Sequence, residues 1–204
     1  MSWYHKAFAH GLARGDDAQH RIYGARKREL LGPLRGTVVE IGPGTGLNFR
    51  YLSPNITWIG LEPNPHMHSF IRRAAAARGV SDLDLRPAPL ETALLPDGTA
   101  DAVVSTLVLC SVPDVDDALR RIHRWLRPGG RLVFIEHVIA PERTAQRLVQ
   151  RGLRPCWSCL ADGCHPDRDT AAALHRSPFA KVAIERFNAP LPVVRPHIAG
   201  HAIA

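Results

Sequence analysis

Lysine is nearly missing from this chain. Of its 26 basic residues only Lys6, Lys27 and Lys181 are lysines, and the arginines are scattered from Arg14 to Arg195. The net charge of +7 and the isoelectric point near 9.8 raise the question of a nucleic-acid partner. The densest basic stretch, Arg26-Lys27-Arg28, is one helical turn, a small footprint for a phosphate backbone. The expectation is therefore an arginine-biased protein with a modest basic face and no nucleic-acid partner. Long apolar runs are also lacking: none approaches the about 18 residues of a membrane span. The first fourteen residues mix aromatic, His and Gly residues with charge, unlike the apolar core of a signal peptide. Without a secretory signal, Cys110, Cys156, Cys159 and Cys164 are expected to be free thiols in a reducing cytoplasm. Internal repeats and low-complexity tracts are absent, and 45% apolar with 22% charged residues excludes a disordered chain. A length of 204 residues allows one domain and little more.

What is present alternates in period. Short apolar runs at residues 37–41, 56–61, 101–107 and 131–136 read as buried strands, the last launched by the turn Arg127-Pro128-Gly129-Gly130. Between them lie helical patterns. Asn64 is placed to cap a helix whose first residue is Pro65, with an apolar stripe of Met67, Phe70, Ile71 and Ala74. Asp114 is placed to cap another, with Asp116 and Asp117 in its first turn and Val115, Ala118, Leu119, Ile122, Trp125 and Leu126 on one face. Strands alternating with amphipathic helices give an α/β fold around a mostly parallel sheet. Residues 181–187 alternate with period two, and a turn then leads to residues 198–203, which predicts an antiparallel hairpin at the sheet edge.

The strongest chemical signal is the segment from Glu40 through Gly42, Pro43, Gly44, Thr45, Gly46 and Leu47 to Asn48, placed between a strand and an expected helix. A dinucleotide fingerprint would need glycine at Leu47, and a phosphate-binding Walker loop would need a following lysine. What remains is a carboxylate two residues before a triple-glycine turn, which suits a ligand carrying an ammonium group. Glu62, at the end of the second strand, stands where a carboxylate accepts both hydroxyls of a ribose. A nucleoside with a cationic amino-acid tail and no phosphates is S-adenosylmethionine.

With these residues the chain resembles the class I S-adenosylmethionine-dependent methyltransferases. The resemblance is carried by residues 38–46, by Leu61-Glu62-Pro63-Asn64-Pro65, by residues 95–101 and by residues 126–130. Residues 105–112, Phe134-Ile135-Glu136-His137-Val138 and Asp162-Gly163-Cys164-His165 are similar to a subgroup of bacterial enzymes and animal thiol S-methyltransferases. The resemblance implies a three-layer Rossmann-like fold with a seven-stranded sheet whose last strand is antiparallel. It implies that Glu40 through Gly46 and Asn48 hold the methionine part of S-adenosylmethionine, and Glu62 the ribose. Pro63, Asn64 and Met67 would flank the adenine, with Leu90 and Glu91 on its other edge and Thr106 and Leu107 on the floor near the sulfonium. S-adenosylhomocysteine would be the product. Pro89 replaces the acidic residue that often takes the adenine amino group, leaving Glu91 or backbone for that bond. The apolar anchoring helix of the animal enzymes is not seen, so membrane attachment is not expected.

The whole chain is expected as one domain: a helical lid (1–36), a cofactor core (37–140), an acceptor-side helical insertion (141–179) and a C-terminal hairpin (180–204). So short a chain points to a small-molecule acceptor, a thiol by the subgroup resemblance, with O-, N- or C-methylation of a secondary metabolite as the alternative and RNA methylation ranked behind it. His137, at a strand end, is a candidate base or orienting group, and Asp162 and His165 lie in the insertion. The run Cys156-x-x-Cys159-x4-Cys164-His165 offers soft ligands, but the paired-knuckle spacing of a zinc site is absent. No metal is expected there. Cys156 and Cys159 fall on a helical pattern where cysteine packs as a small apolar residue, and Cys110 follows an apolar strand into the core.

Overall fold

A computed structural model describes residues 3–204. Seven strands form one sheet: β1 (Gly36–Ile41), β2 (Ile56–Leu61), β3 (Leu83–Arg86), β4 (Ala100–Thr106), β5 (Leu126–His137), β6 (Lys181–Asn188) and β7 (Pro196–Ile203). Their spatial order is β3-β2-β1-β4-β5-β7-β6. The pairs among β1 to β5 are parallel, and β7 runs antiparallel between β5 and β6. The hairpin expected at the edge thus inserts its second strand, and β6 is the strand left at the edge.

Five α-helices cover the sheet: α1 (Trp3–Leu31), α2 (His68–Arg78), α3 (Val115–Trp125), α4 (Ala145–Leu160) and α5 (Thr170–Arg176). Two cores form on opposite faces of the sheet. One packs Val39, Val103, Leu132 and Phe134 beneath Leu119 and Ile122 of α3 and Leu174 of α5. The other packs Val38, Trp58, Val104 and Val133 against Leu31 of α1 and Ile71 of α2. No described helix is long and apolar enough to cross a membrane.

Asp114 caps α3 as its position suggests, accepting from the amides of Asp116 (2.9 Å) and Asp117 (3.0 Å). Asn64 does not cap α2. Its Oδ1 accepts from His66 N at 3.0 Å in a local turn, and α2 begins only at His68. The glycine loop opens no α-helix either: Leu47–Arg50 make a single 3-10 turn. The Arg-Pro-Gly-Gly turn is absorbed into β5, where the pairing with β4 shifts register between Ala100 and Ala102. β3 lies outside the expected strands because its four residues, Leu-Asp-Leu-Arg, are only partly buried at an edge. Cys156 and Cys159 lie on α4 but are exposed rather than packed, since only Gln150 of that helix is buried.

Candidate active site

Parallel pairing places the C-terminal ends of β1, β2, β4 and β5 on one edge of the sheet. The order in which strands are added reverses between β1 and β4, which leaves a crevice there. A cavity of about 550 Å³ fills it, large enough for a small cofactor. Its wall joins the glycine loop, Glu62–Asn64, Met67, residues 89–91, 106–108 and 110–113 to Phe8, Leu12, Gln19 and Lys27 of α1. No arginine belongs to this wall.

Gly42 and Gly44 both have positive φ, at 55° and 58°, which an L side chain rarely adopts. A side chain at Gly42 would strike Val108, whereas the space beside Gly44 is open. Glu62 closes this turn from below: Oε2 accepts from Gly44 N at 3.0 Å and Oε1 from Asn64 N at 2.9 Å. Burial pushes its carboxyl up to about 7, the two amide bonds opposing. The Asn64 amide donates to His5 O at 3.1 Å, so the same corner holds the start of α1.

At the other end of the loop, Asn48 Nδ2 donates to Glu40 Oε1 (2.8 Å) and Thr106 Oγ1 (3.1 Å). Trp58 Nε1 donates to Glu40 Oε2 at 2.9 Å. Glu40 is thus fully buried behind the loop, its carboxyl raised by burial, and is not part of the cavity wall. Gly46 is likewise turned away, toward Ala74 and Ile71. Their place is behind the loop, shaping it. Pro43, Thr45, Pro63, Met67, Leu90, Glu91 and Leu107 do line the cavity, as do Gly42, Gly44, Asn48, Glu62, Asn64 and Thr106. The Pro89 carbonyl already accepts from Thr92 N and Ala93 N.

Two charged side chains from α1 enter this end without having been singled out in the sequence. Lys27 is 1% exposed and reaches the wall, its ammonium pushed down to about 8 by burial, with Glu40 and then Asp16 opposing. Asp16 Oδ1 accepts from Thr45 Oγ1 at 2.8 Å. Lys27 sits inside the basic run Arg26-Lys27-Arg28, and only the helical phase of α1 distinguishes it from its neighbours.

The opposite end is built by Glu136. Its Oε1 accepts from Ser105 Oγ (2.6 Å), Val108 N (3.1 Å) and Leu109 N (3.2 Å), holding the turn after β4 in which Leu107 takes a φ of 60°. That turn brings Cys110 beside His137 and Cys164. His137 Nε2 lies 3.0 Å from Cys164 Sγ, and its Nδ1 is buried without a partner. The neighbouring Cys110 thiol and then His137 hold the Cys164 thiol well below its usual range, while Cys164 and burial push Cys110 up. Asp162, with a φ of 49°, lines the cavity and lies 3.9 Å from His5 Nε2. The ring of His165 is outside the wall; its amide donates to Cys110 O at 3.0 Å. Tyr4 pins α1 to this region, donating to Leu160 O (3.2 Å) and accepting from Asp162 N (3.1 Å).

Residues 39–134 match the family model described as a methyltransferase domain. Human thiol S-methyltransferase TMT1A is 35% identical over 215 residues, covering 99% of this chain and 88% of that protein. Human thiol S-methyltransferase TMT1B is 37% identical over 191 residues, with 88% and 78% covered. The chain belongs to the class I S-adenosylmethionine-dependent methyltransferases. The fold likeness extends to geranyl diphosphate C-methyltransferase from Streptomyces coelicolor A3(2), in complex with S-adenosyl-L-homocysteine. Its TM-score is 0.71 at 16% identity, covering 90% of this chain and 77% of that one.

The residues of this methyltransferase fit its cofactor. Asn48 Oδ1 is a buried acceptor with no partner in the protein, at the end of the cavity where Lys27 also arrives. An amino-acid group supplies the missing donor through its ammonium and an acceptor for Lys27 through its carboxylate. Glu62 has both oxygens available for further bonds at the rim of an open glycine turn.

Proposed function

We propose that this methyltransferase S-methylates a small thiol. The supporting observation is the far end of the cavity, where Cys110, His137 and Cys164 meet among Leu107, Val108, Val112 and Trp157. When bound, S-adenosylmethionine supplies an electrophilic methyl group on a sulfonium. Glu62 accepts the ribose hydroxyls, Lys27 pairs with the methionine carboxylate, and Asn48 accepts from its ammonium. Leu90 and Met67 enclose the adenine, while Thr106 and Leu107 form the floor beside the sulfonium. These contacts fix the donor while the acceptor enters from the α4 side, so orientation and exclusion of water carry most of the rate. A thiol ionises far more readily than an alcohol and needs no strong base, which suits a site where His137 orients the acceptor and Asp162 lies near the rim. His165 contributes by holding Cys110 rather than by touching the acceptor.

α1 acts as a lid. Phe8 and Leu12 cover the cavity, and Tyr4 and His5 reach the turn at Asp162. The wall without arginine favours a small, weakly charged acceptor over a nucleic acid. Turnover of the purified protein with small thiols, phenols and amines, read as S-adenosylhomocysteine formed, tests the reading. Methylation of thiols well above the other classes supports it; preference for a phenol or amine overturns it.

A further inference from the structure

We propose that Cys110, His137 and Cys164 form a three-ligand site for a soft divalent cation, zinc by the chemistry of its donors, with an open fourth position facing the acceptor end of the cavity. The inference deepens the thiol reading in what the cation would do, while the existence of the site rests on its own geometry. Three separate segments supply the donors: the turn after β4, the end of β5 and the turn after α4. The two thiol sulfurs and a ring nitrogen lie within 4.8 Å of one another, and all three residues are buried. Tetrahedral zinc, with bonds of about 2.3 Å to sulfur and about 2.0 Å to nitrogen, separates such ligands by some 3.4 to 3.8 Å, which small side-chain rotations reach from here.

The protein does not saturate this cluster by itself. His137 Nδ1 and Glu136 Oε2 are both buried without partners beside it. Unsatisfied polar atoms gathered in one dry place call for a missing ion or water. The framework is rigid: Glu136 anchors the amides of Val108 and Leu109, and His165 N ties the Cys164 turn to the Cys110 carbonyl. Cys156 and Cys159 take no part, because both are exposed on α4. The site thus uses one cysteine of the suggestive sequence run and two residues from outside it.

Two cysteines and a histidine with a fourth position left open are the ligand pattern of a catalytic rather than a structural zinc. An acceptor thiol would bind there as the thiolate, its S–H bond breaking and its proton passing to solvent. Its sulfur then attacks the methyl carbon, the carbon–sulfonium bond breaks, and that electron pair stays on the sulfur of S-adenosylhomocysteine. The sum is thiol plus S-adenosylmethionine to thioether, S-adenosylhomocysteine and one proton.

The test is metal binding by the whole protein, stripped by chelator and titrated with cobalt(II) as a spectroscopic probe and with zinc in competition. One equivalent is expected, with sulfur-to-cobalt charge-transfer and tetrahedral d–d absorption. Cys164→Ser, Cys110→Ser and His137→Ala should each weaken binding by at least tenfold while retaining the wild-type circular dichroism, and a Cys156→Ser/Cys159→Ser protein should bind as wild type. Absence of a cobalt–thiolate band, or loss of binding only in the Cys156/Cys159 variant, overturns the site. Full thiol turnover by the stripped protein in chelator overturns the cation's role and leaves thiol methylation standing. Stoichiometric binding without thiol methylation leaves the site standing and overturns the thiol reading.

Discussion

If Glu62 takes the ribose hydroxyls as proposed, cofactor binding is a proton-linked event. Its carboxyl is pushed up to about 7 because the side chain is buried, and the amides of Gly44 and Asn64 only partly offset the lost hydration. Ribose hydroxyls donate to the ionised form and favour it, so binding lowers that value and releases a proton. If the bound value falls well below 5, the apparent dissociation constant scales as one plus the ratio of protonated to ionised Glu62. Affinity is then about tenfold weaker at pH 6 than at pH 8, and about tenfold weaker again at pH 5. The sign for folding is opposite. A carboxyl raised above its ordinary 4.5 stabilises the cofactor-free fold fully below that value, and the contribution is lost as pH rises through about 7. Cofactor-induced stabilisation in thermal melts should therefore grow from pH 5 to pH 7.5. Calorimetry in buffers of different ionisation enthalpy measures the released proton directly, and Glu62→Gln should bind weakly with no such release. A pH-independent affinity in the wild type, or Glu62→Gln binding at wild-type strength, refutes the ribose contact.

Other substitutions separate the parts of the site. Lys27→Met should weaken cofactor binding about ten- to a hundredfold, the range of a hydrogen bond to a charged group, as read by calorimetry; unchanged affinity would place the carboxylate elsewhere. In the wild type, affinity should also fall as pH rises through about 8, where Lys27 loses its charge. Tyr4→Phe removes the hydroxyl bridging Leu160 and Asp162 and should raise the acceptor KM about fivefold with kcat little changed, the scale of one neutral hydrogen bond. Asp114→Ala removes the cap of α3 and should cost about 1 kcal/mol, a drop of about 2–4 °C in Tm, with turnover unaffected.

The residues lining the glycine-loop end of the cavity were legible because their signals are local. A glycine turn, a carboxylate at the next strand end and a capped helix each occupy a few adjacent residues, and parallel pairing then brings the strand ends together. The errors were local too. Asn64 reads as a helix cap, yet its side chain satisfies the turn before α2, because the chain must first carry Pro63 and Pro65 past the cavity rim. Glu40 reads as a ligand, yet Trp58 and Asn48 occupy both its oxygens from positions no short motif connects. Lys27 differs from Arg26 and Arg28 only in the direction it faces. Cys110, His137 and Cys164 are spaced 27 residues apart, so no metal-binding spacing marks them, while Cys156 and Cys159, which do resemble a ligand pair, end up in solvent.

The two ends of the cavity are electrostatically unlike, and the proposed chemistry requires that. Binding the cofactor means holding fixed charges, and in the proposed arrangement Lys27 and Glu62 answer them at the glycine-loop end. Transfer to a thiolate instead destroys charge: an anionic sulfur and a cationic sulfonium become a neutral thioether and a neutral thioether product. Water stabilises the separated ions more than the partly neutralised transition state, so an apolar, closed reaction end lowers the barrier. Leu107, Val108, Val112 and Trp157 supply such an end. The same dryness makes an unpaired thiolate costly, which is why an acceptor sulfur there would need a cationic partner of its own. An arginine at that spot would meet the same electrostatic demand. The wall contains none. The cluster of two sulfurs and an imidazole is what the fold places there instead.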